Sequence, residues 1–127
     1  MKMRLRENSI RLRLLQSNVN QLREIGSVSE TITLGVKQTE QFIYALRISD
    51  DIKNVHAQMF NNHIEIFLPV AEAEFWMNND AEVGIYAVQN ISEDLNLDIT
   101  IEKDFACSTR PTDLDNADAF PNPELNC

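Results

Sequence analysis

The sequence predicts an α+β domain: two copies of a ββαββ unit in a mainly antiparallel sheet, with two short helices and eight strands able to curl into a barrel. Three observations carry this. Strand-like alternation at Ile10, Leu12 and Leu14 recurs 54 residues later at Ile64, Ile66 and Leu68, with Asn8 falling on Asn62. The register then holds: Val19 and Leu22 map onto Ala73 and Trp76, and after one inserted residue Val28 maps onto Val83, while Phe42, Tyr44 and Leu46 map onto Leu97, Ile99 and Ile101. Finally, the periodicity stops near Ala106. Such a period marks a duplicated supersecondary unit, and two copies are too few for a solenoid. One duplicated domain over residues 1–106 follows, with repeat units 1–49 and 54–104 and an irregular tail over 107–127.

The first unit opens with alternating MKMRLRE and IRLRL around a turn containing Asn8, which tolerates positive φ. This reads as a β-hairpin. Ser17 is placed to N-cap a helix with Val19, Leu22 and Ile25 on one side, and Gly26 stands where a left-handed C-terminal residue is expected. Strands follow near SVSETITL and QFIYALRIS. The second unit repeats the plan with VHAQMF and HIEIFL around Asn61 and Asn62, a pair suited to a two-residue turn. Pro69 suits the first turn of a helix that buries Val70, Ala73, Trp76 and Met77 and ends at Asn78 or Asn79. Strands near EVGIYAV and LDITIEKDF complete it. In the tail, three prolines and few apolar residues leave Phe120 as the expected anchor. The expected core comprises Leu12, Val19, Leu22, Tyr44, Ile64, Ile66, Trp76 and Ile99.

A chain of 127 residues can bury a core without disulfides or metal. No stretch approaches the roughly 18 consecutive apolar residues of a membrane span. No apolar leader follows the opening strand, and the two cysteines, Cys107 and Cys127, fit a reducing compartment, so a cytoplasmic protein is expected. The net charge of −9 argues against general nucleic-acid binding. Its distribution is uneven: residues 1–49 hold eight basic against four acidic side chains, and the remainder three against sixteen.

The strongest candidate site is the first hairpin. Period-two alternation puts Lys2, Arg4, Arg6, Arg11 and Arg13 on one face, opposite Met3, Leu5, Ile10, Leu12 and Leu14. A turn at residues 7 and 8 sets Arg4 against Arg11; a turn at 8 and 9 sets Arg4 against Arg13 and Arg6 against Arg11. Like charges meet in either register, so the face needs solvent, carboxylates or a bound anion. Glu65 occupies the position equivalent to Arg11, and the last strand carries Glu102 and Asp104 on its polar side. If the strands curl, a basic wall faces an acidic one, giving either a solvated sheet face or a groove for phosphate or carboxylate with Mg²⁺ on the carboxylates. His56 and His63 flank the second turn without a third ligand, and Cys107 reads as a structural thiol. No phosphate-binding glycine loop, serine elbow or paired CxxC is present.

These features support a non-enzymatic module that binds a small anionic ligand or a protein. The competing function is a metal-assisted phosphohydrolase or polyphosphate-binding barrel, with Arg4, Arg11 and Arg13 on phosphate and Glu65, Glu102 and Asp104 on Mg²⁺. Through NSIRLRLLQSNV, VGIYA, IEKDFACSTRP and FPNP the chain resembles, over nearly its whole length, a family of short bacterial proteins of unknown function. That resemblance implies no activity or site. Asn18 departs from it where an acidic residue is expected. The duplicated plan is also similar to the triphosphate tunnel (CYTH-like) barrels, although their ExExK signature is missing from KMRLRE.

Overall fold

A computed structural model describes residues 1–107 and 114–122. Strands β1 (Lys2–Arg6) and β2 (Ser9–Leu14) form the first hairpin. Glu7, not Asn8, takes the positive φ of its turn, at 51°, as Asn61 does at 49° in the second hairpin. Helix α1 (Gln16–Ile25) follows and ends at Gly26, whose φ of 80° lets its N–H reach Leu22 O at 2.9 Å. Strand β3 (Ser27–Thr33), a 3-10 turn over Gln38–Glu40 and β4 (Gln41–Ser49) complete the first half. The second half contains β5 (His56–Phe60), β6 (His63–Pro69), α2 (Val70–Met77), β7 (Gly84–Ser92) and β8 (Leu95–Lys103). Pro69 precedes α2 as its cap residue, and Asn78 ends it with its N–H on Glu74 O at 3.0 Å.

The strands form two four-stranded sheets, ordered β1-β2-β8-β7 and β3-β4-β6-β5. They do not close into the expected barrel. Each sheet takes two strands from each half, and the central pairings, β2 with β8 and β4 with β6, are parallel, while the other four are antiparallel. The two central ladders share one register: Leu12 lies opposite Ile101 in the first sheet, and Ile66 opposite Leu46 in the second. Across β3 and β7 the correspondence moves, because Val28 opposes Leu46 whereas Ile85, rather than Val83, opposes Ile101.

The four hairpin turns lie at one end of the sheets, and both helices, with the 50–55 connection from β4 to β5, at the other. Between the sheets, Leu12, Leu14, Leu22, Leu46, Ile66, Leu68, Trp76, Ile99 and Ile101 are fully buried. Of the expected core, Ile64 alone is only partly buried, because it sits at the turn end. Side chains rather than ladders span the two seams between sheet edges. On one seam, the Met1 ammonium meets Glu30 Oε1 at 3.0 Å, and Tyr44 Oη donates to Met1 O at 2.9 Å. On the other, the Gln89 amide accepts from Ala57 N at 2.7 Å and donates to Ala57 O at 3.2 Å.

The described part of the tail packs against this frame. Phe120 N donates to Asp104 O and Ala106 N to Phe120 O, both at 2.8 Å. Asp118 caps α1 from a distance, its carboxylate accepting from Ser17 N at 3.1 Å and from the Ser17 hydroxyl. Ser17 is thus a capped residue inside the helix rather than its N-cap, which is Leu15. Asn18 Oδ1 accepts from Leu15 N at 2.9 Å, so the amide does the work of the acidic residue expected there. Cys107 is disulfide-bonded, which corrects the reading of a structural thiol.

Candidate functional site

The first hairpin adopts the turn at residues 7 and 8, so Arg4 lies opposite Arg11 and Lys2 opposite Arg13. Among the described residues, carboxylates offset two of the five cations. Lys2 Nζ sits 3.0 Å from Asp115 Oδ2 and 3.1 Å from Asp104 Oδ2. The hydrogen bond to Asp115 raises the Lys2 pKa above the ordinary 10.5, against the lowering by partial burial. The Asp104 contact is electrostatic, since its buried Oδ2 accepts no hydrogen bond of good geometry. Arg11 Nε meets Glu102 Oε1 at 3.0 Å. Arg4, Arg6 and Arg13 are exposed and form no ion pair among the described residues.

Beyond the helix-side end of this sheet lies a cleft of about 1280 Å³. Lys2, Arg4 and Arg13 line one side, Glu102, Lys103 and Asp104 the end of β8, and Phe105, Phe120 and Asp115 the far wall. Arg6 and Arg11 are not part of its lining. The cleft therefore selects Lys2, Arg4 and Arg13 from the basic ladder, and among the described residues the two arginines have no carboxylate partner.

The three candidate metal ligands are not brought together. Glu65 is on β6 of the other sheet, 8 % exposed, and accepts from Arg47 Nε at 2.6 Å. Glu102 and Asp104 serve Arg11 and Lys2. Among the described residues no group of three His, Cys, Asp or Glu side chains is arranged to hold a metal ion. His56 stacks on Phe67 and His63 on Phe60, with ring centres 5.1 and 5.0 Å apart.

Glu65 and Arg47 stand in the other sheet where Arg11 and Glu102 stand in this one, as the shared register requires. The two sheets thus carry the same ion pair with its signs exchanged.

Sequence reasoning missed Lys103, which is 3 % exposed. Its Nζ donates to Asn79 O at 2.9 Å and lies 5.7 Å from the Trp76 ring centre and 5.6 Å from that of Phe120. Burial lowers its pKa below 10.5, opposed by Asp80 and Glu82 and assisted by Arg23. A signal was available: Lys103 continues the apolar phase of Leu97, Ile99 and Ile101.

Residues 1–124 match the model of a family described as a family of unknown function, DUF7009. No curated protein and no solved structure matches.

Proposed function

The chain belongs to that family of unknown function, and since membership brings no activity with it, we propose from the site itself a non-enzymatic module that binds a small anionic ligand through Arg4 and Arg13. One observation carries this reading: both guanidinium groups line the cleft, and neither has a carboxylate partner among the described residues, whereas Lys2 and Arg11 are each ion-paired. Guanidinium forks suit phosphate and carboxylate oxygens, and two unpaired arginines on adjacent strands gain from an anion what they lose to mutual repulsion. The acidic balance of the whole chain disfavours nucleic acid as the ligand.

A thermal-shift titration with inorganic phosphate, polyphosphate and citrate tests this. The wild type should be stabilised and the Arg4→Gln/Arg13→Gln variant should not. No shift with any of these anions in the wild type overturns the reading. The metal-assisted phosphohydrolase is the weaker alternative, because Glu65 is remote from Glu102 and Asp104 and all three carboxylates are committed to cations.

We read residues 1–106 as a duplicated unit on two grounds: the element order strand-strand-helix-strand-strand occurs twice, and the central ladders match in register. No helix among the described residues is long and apolar enough to cross a membrane. The Cys107 disulfide favours an oxidising compartment over the cytoplasm expected from the cysteine count.

A further inference from the structure

We propose that the end of the sheets opposite the helices docks a second copy of this chain, each copy seating a hairpin in a notch of the other. The inference is independent of the anion-binding reading.

The four hairpins do not end level. Strand β2 begins at Ser9, opposite Asp98, so residues 95–97 of β8 run on past the β1–β2 turn. Likewise β6 begins at His63, opposite Ile43, so Gln41 and Phe42 of β4 run on past the β5–β6 turn. Two or three extended residues and the loop beyond them make each longer hairpin an arm that overhangs its neighbour by about 10 Å. The arms, β3–β4 and β7–β8, belong to different sheets and stand diagonally across the end, with a notch beside each. Asn8 and Asn62 brace their bases, the amides donating to Asn96 O at 2.7 Å and Thr39 O at 2.9 Å.

Each arm keeps the inward apolar phase of its strands after the opposing sheet has ended. Ile32 and Leu34 continue the phase of Val28, Ile91 that of Ile85, and Leu95 that of Ile99. All four are at least 45 % exposed, and Leu34 reaches 78 %. Leu5 and Met59, on the same phase at the floors of the two notches, are 57 % and 71 % exposed. Inward-phase residues of packed sheets normally form the core, so their exposure marks a face that lacks its partner. Together these six side chains offer on the order of 500 Å² of apolar surface, the apolar share of a homodimer interface that buries about 800 Å² on each partner.

Symmetry and charge identify the partner as a second copy. A two-fold rotation about an axis lying across this end seats both arms of each copy in the notches of the other, inner face against inner face. Two such axes exist. One places the β7–β8 arm, with Glu93 and Asp94 at its tip, over the β1–β2 turn beside Arg6; the other places the β3–β4 arm there and sets Lys37 on Arg6. Charge selects the first. Arg6, Glu93 and Asp94 are exposed and form no ion pair among the described residues, and Glu7 in the same turn offsets only part of the attraction.

Sedimentation equilibrium of the full chain in low salt, from micromolar to submillimolar concentration, tests this. The wild type should be a dimer. Leu34→Asp and Ile91→Asp should each weaken the dimer by about tenfold or more while circular dichroism stays native, because both side chains are exposed in the single copy. Phe75→Asp, exposed on α2 at the opposite end, should leave association unchanged. Arg6→Glu and the double change Glu93→Lys/Asp94→Lys should each weaken self-association, and mixing the two variants should restore it as a heterodimer. A wild type that stays monomeric throughout that range overturns the proposal, as does a dimer that survives Leu34→Asp and Ile91→Asp. A mixture that fails to associate refutes the pairing of Arg6 with Glu93 and Asp94, and the seating of arm in notch with it.

Discussion

The side-chain amide of Gln89 takes the place of a neighbouring strand for Ala57, accepting from its N–H at 2.7 Å and donating to its C=O at 3.2 Å. One side chain thereby joins the edge of β5 to the edge of β7, where no main-chain ladder runs. Gln89→Ala removes both bonds and should cost about 1–2 kcal/mol, since each such bond contributes roughly 0.5–1.5 kcal/mol net. Hydrogen exchange gives the specific reading: the Ala57 amide should lose protection while the central ladders keep theirs. Unchanged Ala57 exchange would show that the clasp does not hold the seam.

Arg4 and Arg11 face each other across the first hairpin but differ in their partners, so their removal should diverge. Arg4→Gln relieves repulsion and leaves stability within about 0.5 kcal/mol of wild type. Arg11→Gln strands Glu102 and should cost up to about 1 kcal/mol, a modest figure because both side chains of the pair retain solvent contact. Denaturant midpoints check this; equal effects of the two changes would contradict the assigned pairing.

Arg47→Ala should cost more than Arg11→Ala. It leaves Glu65, 8 % exposed, without its guanidinium. A loss of about 1–3 kcal/mol is expected, below the full penalty for a buried charge because Arg47 itself is half exposed. Adding Glu65→Gln to Arg47→Ala should recover part of that loss, and a double-mutant cycle measures how much.

Lys103 makes stability depend on alkaline pH. Its folded pKa is lowered from 10.5 by burial, so the unfolded chain binds the proton more tightly. The burial cost is complete below the folded pKa and is relieved as pH rises from there to 10.5, so wild type should gain stability relative to Lys103→Met across that window. Lys2, with its pKa raised, acts in the opposite sense only above 10.5 and is common to both proteins. A stability difference that stays flat with pH would contradict the burial of a charged amine.

The Cys107 disulfide should leave no titratable thiol at that residue under non-reducing conditions. Reduction should lower stability by about 2–4 kcal/mol, the usual contribution of a native bridge. Labelling of Cys107 by an alkylating reagent without prior reduction would refute it.

Periodicity disclosed which face of each strand is apolar, and so Leu12, Ile66, Trp76 and the basic ladder were legible. It does not disclose which strand lies beside which. The pairing of β2 with β8 joins Ser9 to Asp98, and nothing local to either segment encodes it. The same limit hid the metal question: Glu65 and Glu102 occupy like phases of their strands, yet the topology puts them in different sheets. Asp118 as the cap of α1 was equally out of reach, because Ser17 offered a local candidate of the right chemistry. Lys103 was readable, being a lysine on an apolar phase, but Glu102 and Asp104 on either side of it make IEKDF a run of charge that masks the register.

The two central ladders differ in how far along the chain they reach. Ile43 pairs with His63 across a short connection, whereas Ser9 waits for Asp98. Closing the shorter span is entropically cheaper, so the sheet built on β4 and β6 should assemble first and β2 should remain an open edge until β8 arrives. Folding kinetics of Ile66→Val and Ile101→Val would reveal the order, the former slowing folding and the latter mainly hastening unfolding. During that interval the hairpin β1-β2 presents a row of like charges along an unpaired edge, the device by which strands repel copies of themselves. Replacing Arg4, Arg6, Arg11 and Arg13 together by Gln should therefore raise aggregation during refolding, as light scattering would measure.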